Sequence, residues 1–222
     1  VLAGAVIIPT AFFREPRNRK ATVEINDSKQ FDEPKREELY RLVMELAEEK
    51  KIFAGIGRAS VEEIEKQNIV GATCLAMKRA MNEASESSFK IWKPNEKSPH
   101  TLFQPRLENE NRWVVLVDGK PMKKLPYDHS GLVKGDTKSL AIAMASMLAK
   151  VTRDQYMRKL HNKFPEFGFD SNKGYGAPVH LKALNNHGPT EYHRPRFLRN
   201  ILPAHMESVN SDEVEQSQLS LF

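Results

Sequence analysis

At 222 residues, with 40% apolar and 28% charged side chains, the chain has the composition of a globular protein built around one sizeable core. Its single cysteine, Cys74, excludes an internal disulfide and fits a reducing, cytoplasmic setting, and no apolar run reaches the roughly 18 residues that span a bilayer. A net charge of +5 and a pI of about 9.2 point to a polyanionic partner.

The chain opens on VLAGAVII, closed by Pro9, a continuous apolar run expected to be a strand covered on both faces. No basic region precedes it and no cleavage site follows, which argues against a secretion signal. It starts with Val1 rather than Met and inside that strand, from which a preceding segment is expected. Residues 11–24 are polar and basic and read as an exposed hairpin or loop, and NDSKQF at 26–31 punctuates the chain. Pro34 suits the first turn of a helix whose apolar positions Leu39, Leu42, Val43 and Leu46 keep helical spacing. KIFAGIGRAS returns to a strand, and Ser60 with Glu63 has the form of a capping box opening a helix that runs past Asn68. Residues 84–112, rich in Ser, Pro, Asn, Lys and Glu, read as a loop insertion, and RWVVLVDG as a short buried strand. A helix is expected over 138–163 and another between Pro178 and Gly188. From Pro203 the composition turns polar, as in a disordered tail. Strands alternate with helices and no internal repeat occurs, so the core is α/β or α+β.

Three short stretches carry chemistry. VVLVDG delivers a carboxylate, Asp118, to the end of a strand, where α/β folds place ligands; the plainer alternative is an Asp-Gly turn. Asp136 stands between Lys134 and Lys138 at the mouth of the 138–163 helix. It suits an N-cap, worth about 1 kcal/mol, and equally a metal ligand. Lys120, Lys123, Lys124, Lys134 and Lys138 flank the two acids, as metal-assisted hydrolysis of a nucleic acid requires, although a lysine run is commonly only a solvated face. Small residues at 141, 143, 145, 146 and 149 let the helix lie close to the sheet. GYG at 174–176 exposes Tyr175 beside Lys173, to stack on a sugar or base or simply to end a loop.

Together NDSKQF, ASVEEIEKQNIVGATCLAMKRAM, VVLVDG, LVKGDTKSLAIAMASMLAKVTRD, FPEFGFDSNKGYGAPVHLKAL and GPTEYHRPRF resemble ribonuclease HII, the type 2 ribonuclease H, in order over roughly residues 1–200. The resemblance implies a ribonuclease H-like mixed sheet flanked by helices: a catalytic core at 1–163 lacking its first strand, a C-terminal helical extension for substrate recognition at 164–203, and a flexible tail at 204–222. It implies a monomeric endoribonuclease, with no membrane partner, that hydrolyses the RNA strand of RNA–DNA hybrids. It also implies nicking on the 5′ side of single ribonucleotides in duplex DNA, with Mg²⁺ or Mn²⁺ and two-metal-ion catalysis, as in ribonucleotide excision repair. Asp118 and Asp136 match the family's third and fourth metal-binding carboxylates, and Tyr175 the tyrosine that reads the RNA–DNA junction. Lys29 and Lys138 are candidate phosphate contacts. The ending Gln218, Leu219, Ser220, Leu221 and Phe222 resembles the pentapeptide by which bacterial replication and repair proteins dock on the sliding clamp; a chance apolar terminus is the alternative.

The family's first two carboxylates lie in an Asp-Glu-Ala-Gly-Arg-Gly-like stretch ahead of the strand that VLAGAVII matches, and residues 1–222 contain no such stretch. Residues 1–222 alone are therefore expected to be inactive. Two readings stand: a nuclease completed by that stretch, or a non-catalytic truncated remnant that binds hybrid nucleic acid or the clamp. A resolvase or transposase of the same fold is disfavoured by GYGAPVHLKAL.

Overall fold

Strands and helices alternate where the apolar spacing changes period. The computed structural model describes residues 1–89, 91–92 and 113–199. In chain order it has β1 (Leu2–Ile7), α1 (Thr10–Arg14), α2 (Pro16–Ala21), α3 (Glu33–Glu48), β2 (Phe53–Arg58) and α4 (Val61–Ser87). Then follow β3 (Leu116–Asp118), β4 (Ser130–Leu132), α5 (Leu140–Lys163), α6 (Phe169–Asn172), α7 (Pro178–His187) and α8 (Pro195–Leu198). Tight 3-10 turns stand at Ser28–Gln30, Gly135–Thr137 and Pro165–Phe167. The mixed α/β expectation holds. The described residues form two compact units, one of residues 1–60 and 69–153, the other of 61–68 and the residues from 154 on.

In the first unit β1 and β2 pair antiparallel, from Leu2 opposite Arg58 to Ile7 opposite Phe53. The helices reach this ribbon at main-chain distance. A Cβ on Gly4 would run into the carbonyl of Ala145 on α5, and Cβ atoms on Gly55 and Gly57 into those of Ala80 and Ala76 on α4. The small side chains of α5 thus let helix and strand backbones touch. Polar side chains of α4 cover β2: Ile56 N–H donates to Glu83 Oε2 (2.9 Å) and Arg79 donates to the Arg58 carbonyl (2.6 Å). This blunts an edge that could otherwise recruit another strand. Helix α3 is capped by Asp32, which accepts from Lys35 N (3.0 Å). It buries Leu39, Val43 and Leu46 against Ile52, Met144 and Leu148, each worth about 1.5–3 kcal/mol of apolar transfer.

The expected mixed sheet is present as two separate pairs. β3 and β4 pair parallel, Asp118 opposite Leu132. A cavity of about 490 Å³ borders both β1 and β3 and is lined also by Trp113, Ala141, Ala145 and Ala149. The strand ending in Asp118, expected to be buried, is so only in part: Val117 is buried, but Val114 and Leu116 are exposed.

Two other expectations are corrected. Residues 11–24 are no open loop but carry α1 and α2, because Phe12 sinks into the core, buried Asn18 donates its side-chain amide to the Phe12 carbonyl, and buried Thr22 donates its hydroxyl to the Asn18 carbonyl. The helix after Ser60 is broken at Asn68 (φ 60°, ψ 173°) and runs on to Ser87, beyond the expected start of the insertion. Most of that insertion lies outside the described residues.

The second unit packs α6 and α7 on the end of α5 through Leu160, Phe167, Phe169, Ala183 and Leu184. Arg196 on α8 holds Glu65 (3.2 Å), and Lys163 holds Glu191 (3.3 Å). Among the described residues no helix is long and apolar enough to cross a membrane.

Candidate metal and nucleic-acid site

The parallel pairing of β3 with β4 sets the end of one strand beside the turn that follows the other. Asp118 occupies that strand end, and its Oδ1 accepts the backbone N–H of Gly135 at 2.8 Å. Gly135 is the residue before Asp136, so one hydrogen bond ties the turn bearing the second acid to the strand bearing the first. The space beside Gly135 is tight: a Cβ there would displace the end of the Ile142 side chain and stand 3.2 Å from Asp118 Oδ1.

Asp136 is not the cap of α5. It lies inside the Gly135–Thr137 turn, itself 7% exposed, while Ser139 accepts the first helical bond from Ala143 N (2.9 Å). The turn shifts the helix start by a few residues and points Asp136 inward, which withdraws the capping alternative and leaves its carboxylate for another partner. That partner in the structure is Lys29, whose Nζ stands 3.9 Å from Asp136 Oδ2, with the lysine side chain 78% exposed and the aspartate 8%.

The NDSK segment reaches this place by two contacts. Asp27 accepts from Lys29 N (2.9 Å), closing the Ser28–Gln30 turn. Buried Ser28 meets Ser146 of α5, hydroxyl to hydroxyl at 3.4 Å. Ser146, noted from the sequence only for its size, therefore also anchors the lysine turn. Lys138 behaves differently: its ammonium donates to the Val133 carbonyl (2.9 Å) and closes the loop before α5.

Asp118, Asp136 and Lys29 are thus brought together, with Lys138 bound to the same loop. Among the described residues no cluster of three or more His, Cys, Asp or Glu is placed to hold a metal. Two hard carboxylates suit Mg²⁺ or Mn²⁺, which is commonly held through one or two carboxylates with water and phosphate oxygens completing the shell. The donor set fits one such ion.

Tyr175 belongs to the second unit. Its ring is 66% exposed, and its backbone is held by Tyr175 N to the Asn172 carbonyl (2.9 Å) and Ala177 N to its own carbonyl (2.8 Å). Gly174 precedes it at φ 79°, a conformation that favours glycine. Sequence reasoning missed His180 and His193, which stand behind this turn. Their positions in GAPVHL and EYHRPR carry no local signal, because each gains its partner only in the fold. Residues 218–222 lie outside the described residues.

The family profile described as Ribonuclease HII matches residues 1–200. The chain is 38% identical to the ribonuclease HII of Fusobacterium nucleatum over 208 residues, 93% of this chain and 84% of the relative. It is 39% identical to that of Wolbachia pipientis subsp. Culex pipiens over 88% of the chain and 84% of the relative. With that of Thermosynechococcus vestitus it shares 34% identity over 97% of the chain and 84% of the relative.

Proposed function

The chain belongs to the ribonuclease HII family, and from that premise we propose that it serves as an endonuclease on the RNA strand of RNA–DNA hybrids, nicking 5′ of single ribonucleotides in duplex DNA. The observation that carries this reading is the Asp118–Gly135 hydrogen bond, which sets two carboxylates of matching motifs around one turn. Asp118 and Asp136 would hold Mg²⁺ or Mn²⁺. Such an ion, when bound, supplies Lewis-acid polarisation of a phosphate oxygen and lowers the pKa of bound water.

The protein's own groups do the rest. The Gly135 amide fixes Asp118, Lys29 offers its exposed ammonium to a phosphate beside the acids, and Lys138, released from Val133, would contact the backbone further along. Tyr175 would stack on the sugar at the RNA–DNA junction and so select the ribonucleotide. The tail at 218–222 would dock on a bacterial sliding clamp, and the protein would work as a cytoplasmic monomer.

Residues 1–222 hold two of the family's four carboxylates, so on this reading they bind hybrid without turning it over. The cavity between β1 and β3 is bordered by strands on two sides, which supports a further strand, bearing the Asp-Glu pair, beside Asp118. The test is a nicking assay on duplex DNA with one ribonucleotide, using residues 1–222 alone and with an Asp-Glu-Ala-Gly-Arg-Gly strand joined ahead of Val1. Cleavage by the extended protein only, leaving 3′-hydroxyl and 5′-phosphate ends, is the expected result. Binding without cleavage by either form would favour the non-catalytic reading, and cleavage by residues 1–222 alone would move the site elsewhere.

A further inference from the structure

The second unit contains a half-buried chain of hydrogen bonds, with His180 buried at its centre, that ends at the tyrosine proposed to read the junction. His180 on α7 and His193 in the segment before α8 meet Nε2 to Nε2 at 3.0 Å. His180 Nδ1 lies 2.8 Å from the carbonyl oxygen of Tyr175. His193 Nδ1 lies 2.9 Å from both the backbone nitrogen and the hydroxyl of Thr190. Phe167 and Phe169 wall the pair, with ring centroids 5.0 to 6.0 Å from the imidazoles. The charged groups of adjoining segments have partners of their own: Asp170 with His161, Glu191 with Lys163, and Arg194 over the Phe197 ring.

The two ends of this chain fix its protons. A backbone N–H can only donate, so His193 Nδ1 is bare and its proton sits on Nε2. A carbonyl can only accept, so the proton of His180 sits on Nδ1 and its Nε2 is bare. The middle contact is then His193 Nε2–H donating to His180 Nε2, and the bonds run one way from Thr190 to Tyr175. An added proton on either ring sets two N–H groups face to face at one of these contacts.

We propose that His180 and His193 are positioning residues for Tyr175: a neutral two-imidazole relay that fixes the carbonyl of the 174–176 turn and thereby the angle at which the exposed phenol meets the nucleic acid. The inference rests on the reading of Tyr175 given above. Burial, and then the neighbouring His180, push His193 down to about 4, in keeping with a neutral His193 ring at physiological pH.

Two measurements on the 222-residue chain test it. Nitrogen NMR of the imidazoles should show His180 carrying its proton on Nδ1 and His193 on Nε2 at pH 7, with His193 still neutral at pH 6; reversed tautomers, or a charged His193 at pH 6, would overturn the relay. The second is the affinity ratio between duplex DNA with one ribonucleotide and the same duplex without it. Tyr175→Ala should lower this ratio about five-fold or more. His193→Phe should lower it nearly as far, while His193→Gln, whose amide can accept from Thr190 and donate to His180, should restore most of it. A ratio unchanged by His193→Phe but lowered by Tyr175→Ala would sink the positioning role alone. A ratio unchanged by Tyr175→Ala would remove the junction reading and the positioning role together, with the NMR result still judging the relay itself.

Discussion

Asp118 accepts the backbone N–H of Gly135 at 2.8 Å, so the acid at the end of β3 and the acid in the following turn are held by one bond. Asn at 118 keeps an oxygen for that N–H and loses the charge; Ala loses both. Asp118→Asn should therefore weaken Mn²⁺ binding about ten-fold or more with a small stability change, since a neutral amide is a poor ligand for a hard cation. Asp118→Ala should in addition cost about 1–3 kcal/mol, the range for an amide that loses a charged acceptor. Calorimetric metal titration beside urea denaturation separates the two effects. Equal Mn²⁺ affinity in wild type and Asp118→Asn would take Asp118 out of the metal site.

Gly57 and Gly119 are glycines for different reasons. At Gly57 the obstacle is the Ala76 carbonyl of α4, whereas Gly119 has open space but φ 81°. Gly57→Ala should cost about 3 kcal/mol or more by forcing helix and strand apart. Gly119→Ala should cost about 1–2 kcal/mol, from the left-handed backbone alone. Urea midpoints for both variants check the order, and a harmless Gly57→Ala would show that the backbones do not touch.

His193 makes stability depend on pH. Its folded value of about 4 lies below its ordinary 6.5, so as pH falls the unfolded chain takes up the proton first. The contribution is complete above about pH 6.5, declines through the window between, and is lost as pH approaches 4. The shift corresponds to roughly 3 kcal/mol at most. Thermal unfolding at pH 7, 5.5 and 4.5 should show this decline, reduced in His193→Gln. A variant with an unaltered pH profile would assign the decline to other groups.

Nucleic-acid affinity should separate the lysines from the tyrosine. Lys29→Gln and Lys138→Gln should each weaken binding to every duplex and flatten the log–log salt dependence by about 0.9, the amount lost with one phosphate contact. Tyr175→Ala should leave the salt slope unchanged. A salt slope insensitive to Lys29→Gln would confine that lysine to its contact with Asp136.

The ending QLSLF should bind a bacterial sliding clamp as a free peptide. Calorimetry is expected to give micromolar affinity, about −8 kcal/mol or somewhat weaker, abolished when Leu221 and Phe222 are replaced by Ala. No heat at high micromolar peptide against the clamp of the same organism would leave the tail without this role.

Most long elements were legible because local signals survive without tertiary context: β1, α3, β2 and α5 lie where the run of apolar or small residues places them, and α7 lies between its Pro178 and Gly188 signals. α1 and α2 were not, because that stretch is polar and basic and Phe12 is its one buried apolar side chain, the others turned inward being the polar Asn18 and Thr22. β4 is Ser-Gly-Leu, too short for any pattern, and exists as a strand only through its ladder with β3. The acids were legible as motifs, but their joining through Gly135 was not, since that bond links residues 17 apart in sequence. The imidazole relay was hidden for the same reason, two histidines 13 residues apart having no mutual signal until α7 turns one toward the other.

Cys74 lies on α4, 4% exposed, and burial pushes its thiol up from the ordinary value while Lys124 opposes this weakly. The thiolate is the nucleophile in alkylation, so both access and ionisation protect this sulphur in the folded chain. It is also the single cysteine in 222 residues. A thiol reagent therefore modifies the native protein chiefly when α4 lifts away from the sheet, and the labelling rate becomes a clock for that opening. Timed in plain buffer, it gives the local free energy holding helix to strand without any denaturant.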